Sequence, residues 1–281
     1  MKIIESCRAM VEWSNSRLNN KEIICLVPTM GFFHEGHLAL MRQGGKLADN
    51  LVVSLFVNPR QFGPGEDFAN YPRDHKRDIR LARETGVKVL FIPDQDELYP
   101  PGFQTEVKVA SLTDPLCGAR RPGHFDGVTT VVAKLFNLVK PQVAVFGEKD
   151  FQQLAVIRRM VTDLNWDIEI VGHPIVRESS GLALSSRNSY LDEQGRRKAL
   201  GLFNALEFAA QQARAGVTEA RGLEDVVRKR LDEYGGVEVE YADIVDKDNL
   251  EKSRTIDDNS LMALAVKVDG VRLIDNRLLL R

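Results

Sequence analysis

Five short runs in the first ~175 residues are apolar almost without a break: Ile23 to Val27, Leu51 to Val57, Val87 to Ile92, Val143 to Phe146 and Ile168 to Val171. A strand with one wet face alternates apolar and polar side chains. Runs like these belong to strands covered on both faces, as in a parallel sheet between helical layers. The stretches between them carry helical spacing. Leu40, Gly44, Leu47 and Ala48 make one stripe, and Leu154, Ile157, Val161 and Leu164 another. The two signals alternate, which predicts an α/β fold with a parallel-sheet domain over residues 1–175.

After Pro174 the texture changes. Leu202, Phe203, Leu206, Ala209, Ala210 and Ala213 share a helix face, with Asp192 as the expected N-cap. Ala220 to Tyr234 reads as a second helix. Val237 to Val245 and Leu261 to Val268 read as strands, and Asp269-Gly270 as a hairpin turn into Val271 to Ile274. Residues 176–281 are therefore expected to form a smaller α+β domain.

The bulk numbers exclude several function classes. With 38 basic and 40 acidic residues, no large positive field is available to hold nucleic acid. No apolar run reaches the ~18 residues of a membrane span, and the segment Met1 to Cys7 lacks the apolar core of a signal peptide. Three cysteines, Cys7, Cys25 and Cys117, are an odd number without C-x-x-C spacing, so neither a disulfide framework nor a zinc site is expected. These features predict a cytoplasmic protein.

Chemistry-bearing residues gather just beyond the strand-like runs, where such a sheet places its ligands. His34-Glu35-Gly36-His37 follows the first run. Two imidazoles and a glycine before a helix starting at His37 suit a phosphate that gains negative charge as it reacts. The bland alternative is two surface histidines at a helix start. Gly147-Glu148-Lys149-Asp150 follows the fourth run; Lys149 can neutralise phosphate oxygens, or Asp150 can simply cap a helix. Leu184-Ser185-Ser186-Arg187-Asn188 offers hydroxyls and a guanidinium for phosphates, or is a polar linker. Asn58-Pro59-Arg60-Gln61-Phe62 carries amides suited to a hydroxy acid, or merely ends a strand. Asn58 to Tyr71, Tyr99 to Gly102 and Cys117 to Gly123 are expected loops. Arg120 and Arg121 in the last could receive an anion or lie on the surface.

In order along the chain, Val27-Pro28-Thr29-Met30-Gly31-Phe32-Phe33-His34-Glu35-Gly36-His37, Phe56-Val57-Asn58-Pro59-Arg60-Gln61-Phe62, Arg121-Pro122-Gly123-His124-Phe125, Gly147-Glu148-Lys149-Asp150-Phe151-Gln152-Gln153 and Gly181-Leu182-Ala183-Leu184-Ser185-Ser186-Arg187-Asn188 resemble the pantoate–β-alanine ligase family. The likeness runs to the closing Arg272-Leu273-Ile274-Asp275-Asn276. One H-x-G-H marks only the nucleotidyltransferase superfamily; five ordered tracts mark the family.

The resemblance implies a Rossmann-like domain holding both sites, a C-terminal lid domain and a homodimer. It implies that ATP activates pantoate as pantoyl adenylate and that β-alanine then displaces AMP. Met30, Gly31, Phe32, Phe33, His34, Glu35, Gly36 and His37 would form the nucleotide loop, with His37 as proton donor and His34 steadying phosphates. Gly147, Glu148, Lys149 and Asp150 would bind ATP, with Lys149 on phosphate and Asp150 on ribose. Val176 would meet adenine, and Leu184, Ser185, Ser186 and Arg187 would close over the triphosphate. Asn58, Gln61 and Gln153 would hold pantoate or β-alanine. No protein ligand is expected for Mg²⁺, which would ride on ATP oxygens. Glu35 reads as helix-start charge rather than a base, since a carboxylate nucleophile needs no proton removed.

One position departs from the family pattern. Leu116-Cys117-Gly118 stands where Leu-Glu-Gly is usual. A thiol beside Arg120 and Arg121 is expected to alkylate ahead of Cys7 and Cys25. Two other functions share the nucleotide loop. One is a nucleotidyltransferase that keeps the nucleotide on its product; the other is a non-catalytic nucleotide-binding regulator.

Overall fold

The apolar runs become strands. In the computed structural model, which describes all 281 residues, β1 (Lys2–Ile4), β2 (Ile24–Thr29), β3 (Asn50–Leu55), β4 (Val89–Phe91), β5 (Val143–Gly147) and β6 (Glu169–His173) form one sheet. Its order is β1-β4-β3-β2-β5-β6, and every pairing is parallel. All six residues of β3 are buried, as a run without alternation requires. Little in the sequence signals β1. It is three residues long, it sits at the sheet edge, and only Ile4 is buried.

Helices α1 (Cys7–Asn19), α2 (Glu35–Leu47), α3 (His75–Glu84), α4 (Gln95–Leu98), α5 (Cys117–Arg120), α6 (His124–Val139) and α7 (Phe151–Asp163) fill the connections. One face of the sheet, with Cys25, Val27, Leu51, Val53, Leu55, Val143 and Val145, shares a core with Met41 of α2 and Ala82 of α3. Helix α2 approaches this face closely: a Cβ on Gly44 would lie 2.9 Å from Cys25 Sγ and from Leu51 Cδ1. The expected stripe on this helix is therefore only partly right. Met41 and Gly44 face the sheet, while Leu47 is exposed at the last turn. Likewise Leu154, Ile157 and Val161 are buried in α7, but Leu164 lies past its end in solvent. The expected loop at Cys117 to Gly123 opens with the short helix α5.

Strands β7 (Val237–Asp246), β8 (Ser260–Val268) and β9 (Val271–Leu278) make a separate antiparallel sheet. Helices α8 (Glu193–Arg214) and α9 (Ala220–Asp232) share its core. Asp192 caps α8, its Oδ1 accepting from Gly195 N at 2.7 Å. Asp269 and Gly270 both take positive φ, 49° and 84°, giving the tight β8–β9 turn. The chain divides into two compact units. The first comprises Met1–Ala110, Arg121–Glu148 and Gln153–Pro174; the second comprises Ser111–Arg120, Lys149–Gln152 and Ile175–Arg281.

Candidate active site

The parallel sheet turns back on itself between β2 and β5. Connections from β2 run outward to β3 and β4, while β5 and β6 lie on its other side. Ligands of such sheets bind beyond the strand ends at this switch point. The loop Met30 to His34 leaves β2 there, and Gly147 ends β5 with Glu148 just beyond it. A Cβ on Gly147 would meet nothing within 4 Å, so packing does not explain the missing side chain.

The loop after β2 is built around two left-handed residues, Gly31 with φ 86° and Phe32 with φ 52°. Glycine accepts that conformation freely, whereas for Phe32 it costs about 1–2 kcal/mol. Asp78 of α3 compensates. Its Oδ2 accepts from Phe32 N and its Oδ1 from Phe33 N, both at 2.7 Å. Asp78 is wholly buried. Burial pushes its carboxyl above the ordinary aspartate range, and the two backbone N–H bonds pull it partly back. Phe33 is fully buried, so within the nucleotide tract its side chain serves the core.

The two histidines are joined by the backbone. Helix α2 starts at Glu35, not at His37 as its sequence suggests, because His34 itself is the N-cap. His34 Nδ1 accepts from Gly36 N at 3.2 Å, and His37 Nδ1 accepts from His34 N at 3.3 Å. The ring centroids are 4.0 Å apart. A neutral imidazole that accepts at Nδ1 carries its proton on Nε2, so this reciprocal cap fixes the tautomer of both rings. Glu35 is exposed and pairs with Arg42, whose hydrogen bond holds the carboxyl below its ordinary value. That agrees with helix-start charge.

Gln61 reaches the nucleotide loop across thirty-one positions of sequence: its Nε2 donates to Met30 Sδ. Asn58 directs it. Asn58 Nδ2 donates to Gln61 Oε1 at 3.2 Å and to Gly127 O at 3.0 Å. Its Oδ1 accepts from Tyr99 Oη at 2.9 Å and from Arg60 N at 3.3 Å. With both amide protons and both lone pairs engaged, the buried Asn58 organises this turn from beneath. Tyr99, which sequence reasoning passed over, lies in a Pro-Pro-Gly turn and gives no motif. Arg121 and His124 fix the backbone of Gln61, each donating to its carbonyl, and Arg121 also pairs with Glu66. Arg121 is thus neither a bare anion receptor nor a surface charge.

Within the second unit, Lys149 is half-buried, with its carbonyl accepting from Asn276 Nδ2 at 2.9 Å, and Asp150 is exposed. Gln152, given no role by the sequence, is buried; it accepts from Cys117 N and donates to the carbonyls of Leu112 and Pro115. Gln153 beside it belongs to the first unit and is half-buried. Val176 and Leu184 face each other in a short hairpin, Leu184 N donating to Val176 O at 3.0 Å. Arg177 clamps that hairpin to β9 with two bonds to Asp275, at 2.6 and 2.9 Å. Ser185 Oγ accepts from Arg187 N, opening a 3₁₀ turn over Ser186–Tyr190 in which Ser186 is buried and Arg187 half-buried.

Arg120 turns to Glu240 O, and Arg121 to Glu66. The guanidinium of Arg272 on β9 interacts with Cys117. Cys117 is 8 % exposed, whereas Cys7 is half-exposed.

No group of three or more His, Cys, Asp or Glu side chains is arranged to hold a metal ion. No helix is long and apolar enough to cross a membrane.

Comparison with known proteins gives a consistent result. The family model described as Pantoate-beta-alanine ligase matches residues 2–278. Pantothenate synthetase from Geobacter sulfurreducens is 54 % identical over 276 residues, 98 % of each chain. The crystal structure of pantothenate synthetase from Thermus thermophilus superposes with a TM-score of 0.93 at 43 % identity, covering 99 % of both chains. That of pantoate-beta-alanine ligase from Francisella tularensis, complexed with beta-gamma ATP and beta-alanine, has a TM-score of 0.82 at 32 % identity, over 99 % of this chain and 97 % of that one.

Proposed function

This chain belongs to the pantoate–β-alanine ligase family, and we propose that His34 and His37 meet the α-phosphate of ATP while Gln61 and Gln153 hold pantoate. The enzyme condenses pantoate with β-alanine using ATP. A pantoate carboxylate oxygen bonds to the α-phosphorus, and the bond to the β-phosphate oxygen breaks, releasing pyrophosphate. The amine of β-alanine then attacks the acyl carbon of pantoyl adenylate. The carbon–oxygen bond to phosphate breaks, AMP leaves, and the amine loses its proton to give pantothenate.

The observation that carries the site assignment is the histidine pair. Two rings 4.0 Å apart, each with Nδ1 tied to backbone at the start of α2, present Nε2–H as a donor. Fixed donors stabilise charge that develops on the phosphate without reorganising during the reaction. His37 is the proton donor in this reading, and His34 steadies the phosphates. Met30, Gly31, Phe32, Phe33, Glu35 and Gly36 shape the nucleotide loop around them. Gly147 and Glu148 line the end of β5, Lys149 neutralises phosphate charge and Asp150 takes the ribose. Val176 meets adenine, and Leu184, Ser185, Ser186 and Arg187 cover the triphosphate. Asn58 acts on pantoate through Gln61, because its own amide is fully engaged.

Residues 1–175 then serve as the nucleotide and pantoate domain, and 176–281 as its lid. The nucleotide substrate is MgATP, with the ion carried on phosphate oxygens. The working form is a homodimer in the cytoplasm; light scattering tests the first point and fractionation the second.

An AMP-release assay with pantoate, MgATP and β-alanine tests the reaction. AMP release should require β-alanine, and over many turnovers AMP and pyrophosphate should accumulate in equal amounts. Pyrophosphate without AMP under the full mixture would indicate a nucleotidyltransferase that keeps its nucleotide. Replacing His37 or Lys149 by alanine should cost ~2.7–4 kcal/mol, roughly 10²–10³ in rate. A loss under about tenfold in both folded variants would contradict these roles.

A further inference from the structure

We propose that Asp78 is a positioning residue for adenylate formation, holding the loop from Gly31 to His34 in its ATP-receiving shape from beneath. The proposal rests on the assignment of that loop to ATP. Asp78 lies on α3, more than forty positions away in sequence, and belongs to none of the tracts that mark the family. Its side chain is wholly buried, and both carboxylate oxygens accept successive backbone N–H groups, Phe32 and Phe33, at 2.7 Å.

Two successive positive-φ residues turn those N–H groups to one side, forming a concave anion seat of the kind that elsewhere binds phosphate. Here the seat is filled from within by a carboxylate. That filling fixes the turn leading into the His34 cap. A Cβ on Gly31 would sit 3.1 Å from Asp78 Oδ2 and 3.2 Å from Leu55, so the loop lies directly on the carboxylate and β3. Gly31 N is tied in turn to Thr29 Oγ1, which donates to Ser54 O. The ring of Phe32 stacks under the guanidinium of Arg77, the residue preceding Asp78. Helix α3 thus sets the loop that sets both imidazoles.

The Asp78→Asn variant keeps the shape but turns an amide donor toward one of the two N–H groups. The KM for ATP and the rate of pantoate-dependent pyrophosphate release should worsen about tenfold or more. The KM for pantoate should stay within about twofold, because Gln61 is anchored separately by Asn58 and Arg121. Equal loss for both substrates, or no loss for ATP, overturns the proposal. His37→Ala measured in parallel separates the two readings. Loss in His37→Ala alone overturns the role of Asp78, and loss in neither overturns the loop assignment and this proposal with it. Should Asp78→Asn not fold, amide exchange in the unaltered enzyme decides. Phe32 and Phe33 amides protected without ATP support the tether, and rapid exchange at both overturns it.

Discussion

At His34 one ring nitrogen accepts from Gly36 N while the residue's own N–H is taken by His37. The H-x-G-H spacing shows that two imidazoles are near each other. It does not show that each ring's tautomer is set by a backbone N–H of the same turn, because that needs the helix to start at Glu35. Asn58 teaches a similar lesson. Its residue type suits substrate, but four partners from three separate places in the chain use its whole hydrogen-bonding capacity. Cys117 interacts with Arg272, a distant residue that its own sequence neighbourhood does not announce, and its alkylation is expected to lead. Burial and the charge of Glu97 push the Cys7 thiol up to about 11, and burial pushes Cys25 up to about 12. Both are therefore scarcely ionised near neutral pH, and Cys117 has the Arg272 guanidinium beside it. Brief maleimide treatment with peptide mapping should find Cys117 first. Label mainly on the half-exposed Cys7 would mean that access outweighs the charge beside the thiol.

Among the elements, the segment from Gly63 to Tyr71 is held through Glu66. Burial alone would raise the Glu66 carboxyl, but the hydrogen bonds and charge of Arg121 hold it below its ordinary 4.5. The paired oxygens lie 2.7 and 2.5 Å from the guanidinium. A depressed folded value means this contribution is present above the unfolded value and is lost as pH falls through the folded one. Melting temperatures of the unaltered enzyme and Glu66→Gln should differ at neutral pH and converge as pH falls through the lowered Glu66 value, below the ordinary 4.5. Equal melting at pH 7 would show that the pair contributes nothing. Strand existence was readable in this sequence wherever runs were long and apolar. Helix faces were readable to within a turn, and Leu47 and Leu164 were misassigned because spacing alone does not say where a helix stops. The edge strand β1 was not readable, since three residues with one buried side chain leave no periodicity.

For the molecule as a whole, two cores replace one, as a chain of 281 residues favours. The core of the C-terminal unit is closed by Leu202, Leu206 and Ala209 of α8 against Ile244, Met262 and Leu264 of the small sheet. Leu206 is fully buried, so Leu206→Ala should destabilise that unit by about 2–5 kcal/mol in calorimetry. A loss under about 1 kcal/mol would mean that the site collapses around the gap. The sequence alone determined the parallel sheet, the antiparallel companion and the tracts that carry the family. Each of these is a local pattern: apolar runs, helical spacing, or contiguous motif residues. Only the tertiary structure decided which groups hold those tracts in place. Asp78, Gln152, Tyr99 and the Arg177–Asp275 clamp act across tens of residues of chain, and the segments 111–120 and 149–152 join the second unit. A buried polar partner is chosen by proximity in space, and proximity between distant segments exists only once the chain has folded.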